Sequence, residues 1–202
     1  MDDVGKLRLL ESLKKHGFSE FIVKAFEKVP RENFVPEHWK EHAYDDIPLD
    51  IGYGQTISQP YTIAFMLSLL ELKDNQKILE IGSGSGYVLA LINELSPDSK
   101  IYGIERLGAL ALKSQKVLKD KENIMIFKKD GYDGLKKYSP YDRILISASA
   151  EELPKHLLAQ LVDGGIMVVP VKNSIFHVRK TPHGFIKREF PGFIFVPLIK
   201  ED

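Results

Sequence analysis

Glu80-Ile81-Gly82-Ser83-Gly84-Ser85-Gly86 sets three alternate glycines behind a carboxylate at the end of a short apolar run. Glycine lets a backbone turn tightly and approach a ligand where any β-carbon would clash. Two phosphate-binding patterns fail here. Counted from Gly82, the dinucleotide pattern Gly-x-Gly-x-x-Gly needs its third glycine at position 87, where Tyr87 stands, and no lysine follows to complete a phosphate loop. Two more carboxylates close apolar runs downstream: Glu105 in Gly-Ile-Glu-Arg, followed by Arg106, and Asp130 before Gly131. One acid at a strand end reads as a solvated cap, whereas three in order beside a glycine loop read as a ligand site. A second stretch, IGYGQTISQPYT from Ile51 to Thr62, mixes glycines, hydroxyls and amides with isoleucines that a surface linker would not need. The six histidines are scattered without metal-ligand spacing and there is no cysteine, so neither a metal centre nor a thiolate nucleophile is expected.

The elements that position these residues follow from periodicity. Leu7, Leu10 and Leu13 predict a helix over 4–16 that Gly17 stops, and Ser19 reads as the N-cap of a second over 20–29. Prolines keep 30–51 irregular. A 3.6 period returns over 60–72, with Ser58 standing where an N-cap belongs. Strands over 77–81, 100–104, 124–127, 143–147 and 166–171 then alternate with helices over 88–95, 107–119 and 151–161. Apolar runs buried on both faces and separated by helices imply a parallel sheet. Pro182-His183-Gly184 turns two alternating segments into a closing hairpin. The expected fold is a doubly wound, Rossmann-like α/β domain: a mostly parallel seven-stranded sheet with a C-terminal antiparallel hairpin and an N-terminal helical extension. A single domain over 1–202 divides into a helical and loop segment (1–59), an α/β core (60–171) and C-terminal strands (172–202).

The glycine motif resembles the first motif of the S-adenosylmethionine-dependent methyltransferases. That resemblance implies a donor site built from Glu80, Gly82, Ser83, Gly84, Gly86 and Arg106, with Glu105 at the ribose and Asp130-Gly131 at the adenine. The resemblance implies S-adenosyl-L-methionine as donor and S-adenosyl-L-homocysteine as product. RENFVP (31–36), AYDDIPL (43–49), IGYGQTIS (51–58), DGYDG (130–134), LAQLVDGG (158–165) and FVPL (195–198) extend the likeness. Together they resemble the ordered signature of the protein L-isoaspartyl O-methyltransferases across nearly the whole chain. The implied activity is methylation of the free α-carboxylate of L-isoaspartyl, and by extension D-aspartyl, residues in damaged proteins, initiating repair through a succinimide. A carboxylate with a pKa near ~4 is already ionised at neutral pH, so positioning and desolvation matter more than a general base. Ser58 is the catalytic candidate, orienting the substrate carboxylate with backbone N–H groups at the following helix start; its other reading is a simple N-cap. Gln55, Thr56 and Ile57 are expected to line the same wall, with Ile57 and Tyr53 anchoring the loop in the core. Asp46 reads first as a loop carboxylate satisfying local amides, and the resemblance adds a contact to donor or peptide. Val196, Pro197 and Leu198 are implied to line a peptide groove, and read alone they suit an edge strand.

Asp50, Lys129 and Ser147 to Ala150 depart from the family pattern, and so does an end four residues after Leu198. Rival readings are another methyltransferase of the same fold, or an inactive donor-binding interaction module. The latter would be expected to have lost Gly82, Gly84, Glu105 or Ser58, and all four are present. Lys plus Arg equals Asp plus Glu, 28 each, which argues against nucleic acid, as does Ser-Ala-Ser-Ala where amino-methylating enzymes carry a proline pair. No stretch approaches the ~20 apolar residues of a membrane span. A monomeric cytoplasmic enzyme acting on isoaspartyl peptides and proteins, with no membrane partner, is expected.

Overall fold

The structure is a computed structural model and describes residues 3–200; the outermost residues of the first and last expected segments lie outside it. Helices α1 (Asp3–Lys15) and α2 (Glu20–Lys28) open the chain. Ser19 caps α2, its side chain accepting the Ile22 N–H at 3.3 Å. Two 3-10 turns, Arg31–Phe34 and Glu37–His42, lead into a hairpin of β1 (Leu49–Gly52) and β2 (Gln55–Ile57). Then come α3 (Pro60–Leu70), β3 (Lys77–Ile81), α4 (Tyr87–Leu95), β4 (Lys100–Glu105), α5 (Gly108–Val117), β5 (Ile124–Lys128), β6 (Tyr141–Ile146), α6 (Lys155–Leu158), β7 (Leu161–Val171), β8 (Ser174–Thr181) and β9 (Gly184–Pro191).

The main sheet runs β5-β4-β3-β6-β7-β8-β9. Its first five strands are parallel, and β8 and β9 add on antiparallel. The chain leaves β3 towards β4 and β5, then crosses back to β6, so the strand order reverses at the carboxyl end of β3, the edge where open α/β sheets bind ligands. The glycine loop begins there.

The two faces of the sheet are covered unequally. Ile78, Ile101, Leu145, Ile166 and Val168 pack with the apolar faces of α1 to α4, whereas Leu79, Ile81, Ile104, Ile144 and Ile146 meet Leu135, Tyr141 and α6. Each such fully buried aliphatic contributes about 1.5–3 kcal/mol relative to exposure. The helix expected over 151–161 is a single turn, because Pro154 caps it and β7 already begins at Leu161. The small hairpin was not expected. Leu49 pairs with Ile57 and Gly52 with Gln55, leaving Tyr53 and Gly54 at the tip with φ of 58° and 69°. Positive φ at both central residues is what a tight type I′ hairpin turn demands. At that tip Tyr53 is 67% exposed, so it does not anchor the loop; Leu49, Ile51 and Ile57 do.

Candidate active site

Two cavities meet above the carboxyl ends of β3 and β6. One is a slot of about 40 Å³ lined by Glu80, Gly82 to Ser85 and Tyr87 from the glycine loop, and by Thr56, Ser58, Met66 and Ser147. The other is an open groove of about 700 Å³ between Pro48, Tyr61 and the segment 191–196. Thr56, Ser58 and Ser147 line both, and so form the wall between them.

Glu80 lies two residues beyond Ile78, so alternation along β3 sends both to the same face. It is 1% exposed. Ser147 Oγ donates to its Oε1 at 2.7 Å, while Oε2 is buried with no partner. Burial pushes this carboxyl up to about 8, and like-charged Glu105 adds to the rise against the lowering effect of the Ser147 bond. Glu105, also buried, receives the Gly84 N–H at 2.9 Å and the Leu107 N–H at 2.8 Å. One carboxylate thereby fixes the glycine loop and the approach to α5, and each of its oxygens keeps a lone pair for a further donor. Arg106 follows it, half-buried.

The glycines divide by task. Gly82 and Gly84 line the slot with φ of 79° and 51°, and a β-carbon on Gly84 would stand 3.3 Å from Ile51 Cδ1, so the small hairpin rests on the loop. Gly86 lies outside the slot. A β-carbon there would come within 3.0 Å of Ser114 and Leu118, so its requirement is the close packing of the α5 segment. Asp130 accepts the Tyr132 N–H at 2.8 Å, and a β-carbon on Gly131 would fall 2.5 Å from Ile81. Asp130-Gly131 therefore turns tightly against the end of β3, next in line after Glu105.

The start of α3 corrects the reading of Ser58. Pro60 occupies the first helical position, which moves the N-cap to Gln59 and leaves Ser58 one residue outside. The capping anion is Asp46, whose Oδ1 accepts the Tyr61 N–H at 2.8 Å and whose Oδ2 accepts Gln59 Nε2 at 3.1 Å. A carboxylate belongs at that positive helix end. Because Pro60 has no N–H and Tyr61 N–H is taken by Asp46, neither is available to a substrate carboxylate. Gln55 bonds the Tyr53 carbonyl at 3.3 Å and lines neither cavity, as Asp46 also does not. Ile57 is buried and lines the slot. Val196 lines the groove, whereas Pro197 and Leu198 face a separate recess with Tyr132 and His156. That segment is held by an isolated parallel bridge to Ser149, not as an edge strand.

Sequence reasoning missed Arg31. Fully buried, its guanidinium donates to the carbonyls of Ala43 (2.6 Å), Asp45 (3.3 Å), Ile47 (3.2 Å) and Ser58 (3.0 Å). It ties the 43–47 loop to the wall residue Ser58. Burial holds its pKa below the usual arginine value, with Tyr87, Asp46 and Asp45 opposing the shift. The only signal was its place in RENFVP. Ser147 stands out in the sequence only as a departure, and its bond to Glu80 is visible in the fold alone.

The residues fit a nucleoside donor with a cationic amino-acid end. The slot holds a buried, unpartnered carboxyl oxygen beside Gly82 and Gly84 of the glycine loop. Glu105 and Asp130 continue outside it along successive strand ends.

Comparison with known proteins agrees. Residues 5–202 match the family model for protein-L-isoaspartate(D-aspartate) O-methyltransferase. The chain is 40% identical to a protein-L-isoaspartate O-methyltransferase of Ignicoccus hospitalis, with 98% of each chain covered. It is 43% identical to the enzyme of that name from Fervidobacterium nodosum, covering 94% of this chain and 99% of the other. A Plasmodium falciparum protein described as a protein-L-isoaspartate O-methyltransferase, solved with S-adenosyl-L-homocysteine, superposes with a TM-score of 0.84 at 28% identity, covering 96% of this chain and 98% of the other. With the match spanning nearly every residue, the chain belongs to the protein-L-isoaspartate(D-aspartate) O-methyltransferase family.

Proposed function

We propose that this enzyme methylates the α-carboxylate of isoaspartyl residues in polypeptides, using S-adenosyl-L-methionine. The observation that carries this is the abutment of a slot holding the buried Glu80 carboxyl and an open groove across one wall, Thr56, Ser58 and Ser147. The donor supplies an electrophilic methyl group on a sulfonium. Everything else is positioning by the chain. Glu105 holds the glycine loop through Gly84 and is the ribose ligand, with Asp130-Gly131 bordering the adenine. Ser58, at the wall and fixed through its carbonyl by Arg31, donates from its hydroxyl to one oxygen of the acceptor carboxylate and leaves the other free to attack in line. The acceptor arrives ionised, so no base is required. Phe193, Ile194 and Phe195 make the groove wall apolar, which strips water from the acceptor and raises its nucleophilicity. The neighbouring backbone nitrogen then attacks the carbonyl of the resulting ester, loses its proton and expels methanol, closing a succinimide whose hydrolysis regenerates aspartyl links in part.

The test is transfer of labelled methyl to an isoaspartyl peptide beside its normal aspartyl twin. Base-labile label in the first alone is expected, and equal labelling of both would refute the assignment. We further propose that the folded unit is monomeric, as light scattering would show, that it spans 1–202 as one domain, and that it works in the cytoplasm, which the cysteine-free composition suits.

A further inference from the structure

Glu80 Oε2 is an exception to the rule that buried polar atoms find partners. Its twin Oε1 is held by Ser147 Oγ at 2.7 Å, and the residue lines the slot. An ionised carboxylate with one bare oxygen, 1% exposed, would carry a large desolvation cost. The surroundings offer no relief. Tyr87 shares the slot and is held neutral by burial, and Glu105 at the end of the neighbouring strand has the same sign as an ionised Glu80. Accordingly burial pushes the carboxyl up to about 8.

We infer that Glu80 carries a proton in the ligand-free enzyme and releases it to solvent when the ammonium-bearing end of S-adenosylmethionine or S-adenosylhomocysteine enters the slot, so that donor affinity is coupled to pH. The inference rests on the reading of the slot as the donor site. The balance is simple: the Oε2–H bond breaks, the proton passes to buffer, and the carboxylate left behind pairs with the ligand ammonium. Ser147 steadies the ion by keeping its bond to Oε1.

Isothermal titration of S-adenosylhomocysteine in buffers of different ionisation heat counts the protons. For a group titrating near 8, release of about 0.9 proton per ligand is expected at pH 7 and about 0.5 at pH 8. Affinity should rise close to tenfold per pH unit between pH 6 and 7 and flatten above 8. Glu80→Gln keeps the volume and an acceptor for Ser147, and should bind with no proton release. Methylthioadenosine, which lacks the amino-acid end, should bind the wild type without release. Wild-type binding with no release, release that survives in Glu80→Gln, or release with methylthioadenosine would each overturn the inference. Should the variant fail to bind, infrared spectra of the ligand-free proteins decide. The wild type must show a protonated-carboxyl band that disappears near pH 8 and is missing from Glu80→Gln; without that band the inference falls. Failure of the wild type to bind S-adenosylhomocysteine at all would instead overturn the donor-site reading itself.

Discussion

Arg31 organises more of the site than any residue of the motifs that announce chemistry. Its guanidinium holds four carbonyls from two separate loops, and replacing it with Met strands them. At about 1–3 kcal/mol per unsatisfied buried group, partly offset by water entry, Arg31→Met should cost about 3–5 kcal/mol in urea unfolding. Turnover of the folded fraction should fall as well, since Ser58 loses its tether. Ser58 now has a sharper forecast, because it is not the helix cap. Ser58→Ala should change stability by less than ~0.5 kcal/mol, as surface substitutions do, yet lower kcat with donor affinity nearly constant. Ser58→Asp should fold, bind donor and be inactive, because it sets a like charge against an anionic acceptor. Wild-type turnover by that variant would remove Ser58 from the acceptor site. For Glu80 the sign is fixed by its raised pKa, about 8 against 4.5 for an ordinary glutamate. The folded state then binds more protons than the unfolded state between those values, so ligand-free stability falls as pH rises through that window, by up to ~1.4 kcal/mol per unit. Urea midpoints at pH 5, 7 and 8.5 should show this decline in the wild type and a flatter profile in Glu80→Gln.

At the level of elements, the start of α3 is secured from outside the helix. Asp46, fifteen residues before Tyr61, supplies the anion. Asp46→Ala should therefore cost about 0.5–2 kcal/mol, the usual loss of a cap, measurable as a lower urea midpoint. Legibility in the sequence follows the same division between local and long-range contacts. The strands β3 to β7 and the helices α2 to α5 were legible because apolar runs and 3.6-residue stripes are local patterns, and Ser19 lies within three residues of the N–H that it caps. The glycine loop and its acidic strand ends were legible as types at fixed spacing. What was lost is non-local. Nothing near Arg31 says that it reaches Ser58, nothing near Asp46 says that it outcompetes Ser58 for the helix end, and Gly86 reads as a ligand glycine until α5 is packed against it. The β1–β2 hairpin was hidden because Tyr53 is an unusual residue for a left-handed turn position, and the helix over 151–161 was overdrawn because Pro154 and the early start of β7 leave it one turn.

Across the described residues, α1 to α5 crowd towards one side of the sheet and the site opens at its carboxyl edge, where β3 separates the two halves. The hairpin residue Ile51 rests over Gly84, and Thr56 and Ser58 follow it directly into the wall shared with Ser147. On the reading that the slot holds the donor, the shared wall predicts an order of events in which the donor binds first and the polypeptide docks against the occupied slot. Spent nucleoside left in the slot is then expected to admit a second damaged polypeptide into a dead-end complex. Steady-state kinetics should accordingly show S-adenosylhomocysteine competing with the donor alone, and rates that decline at high peptide concentration whenever that product is allowed to accumulate. A cell that clears the nucleoside slowly would thus idle its repair enzyme most severely when damaged protein is most abundant.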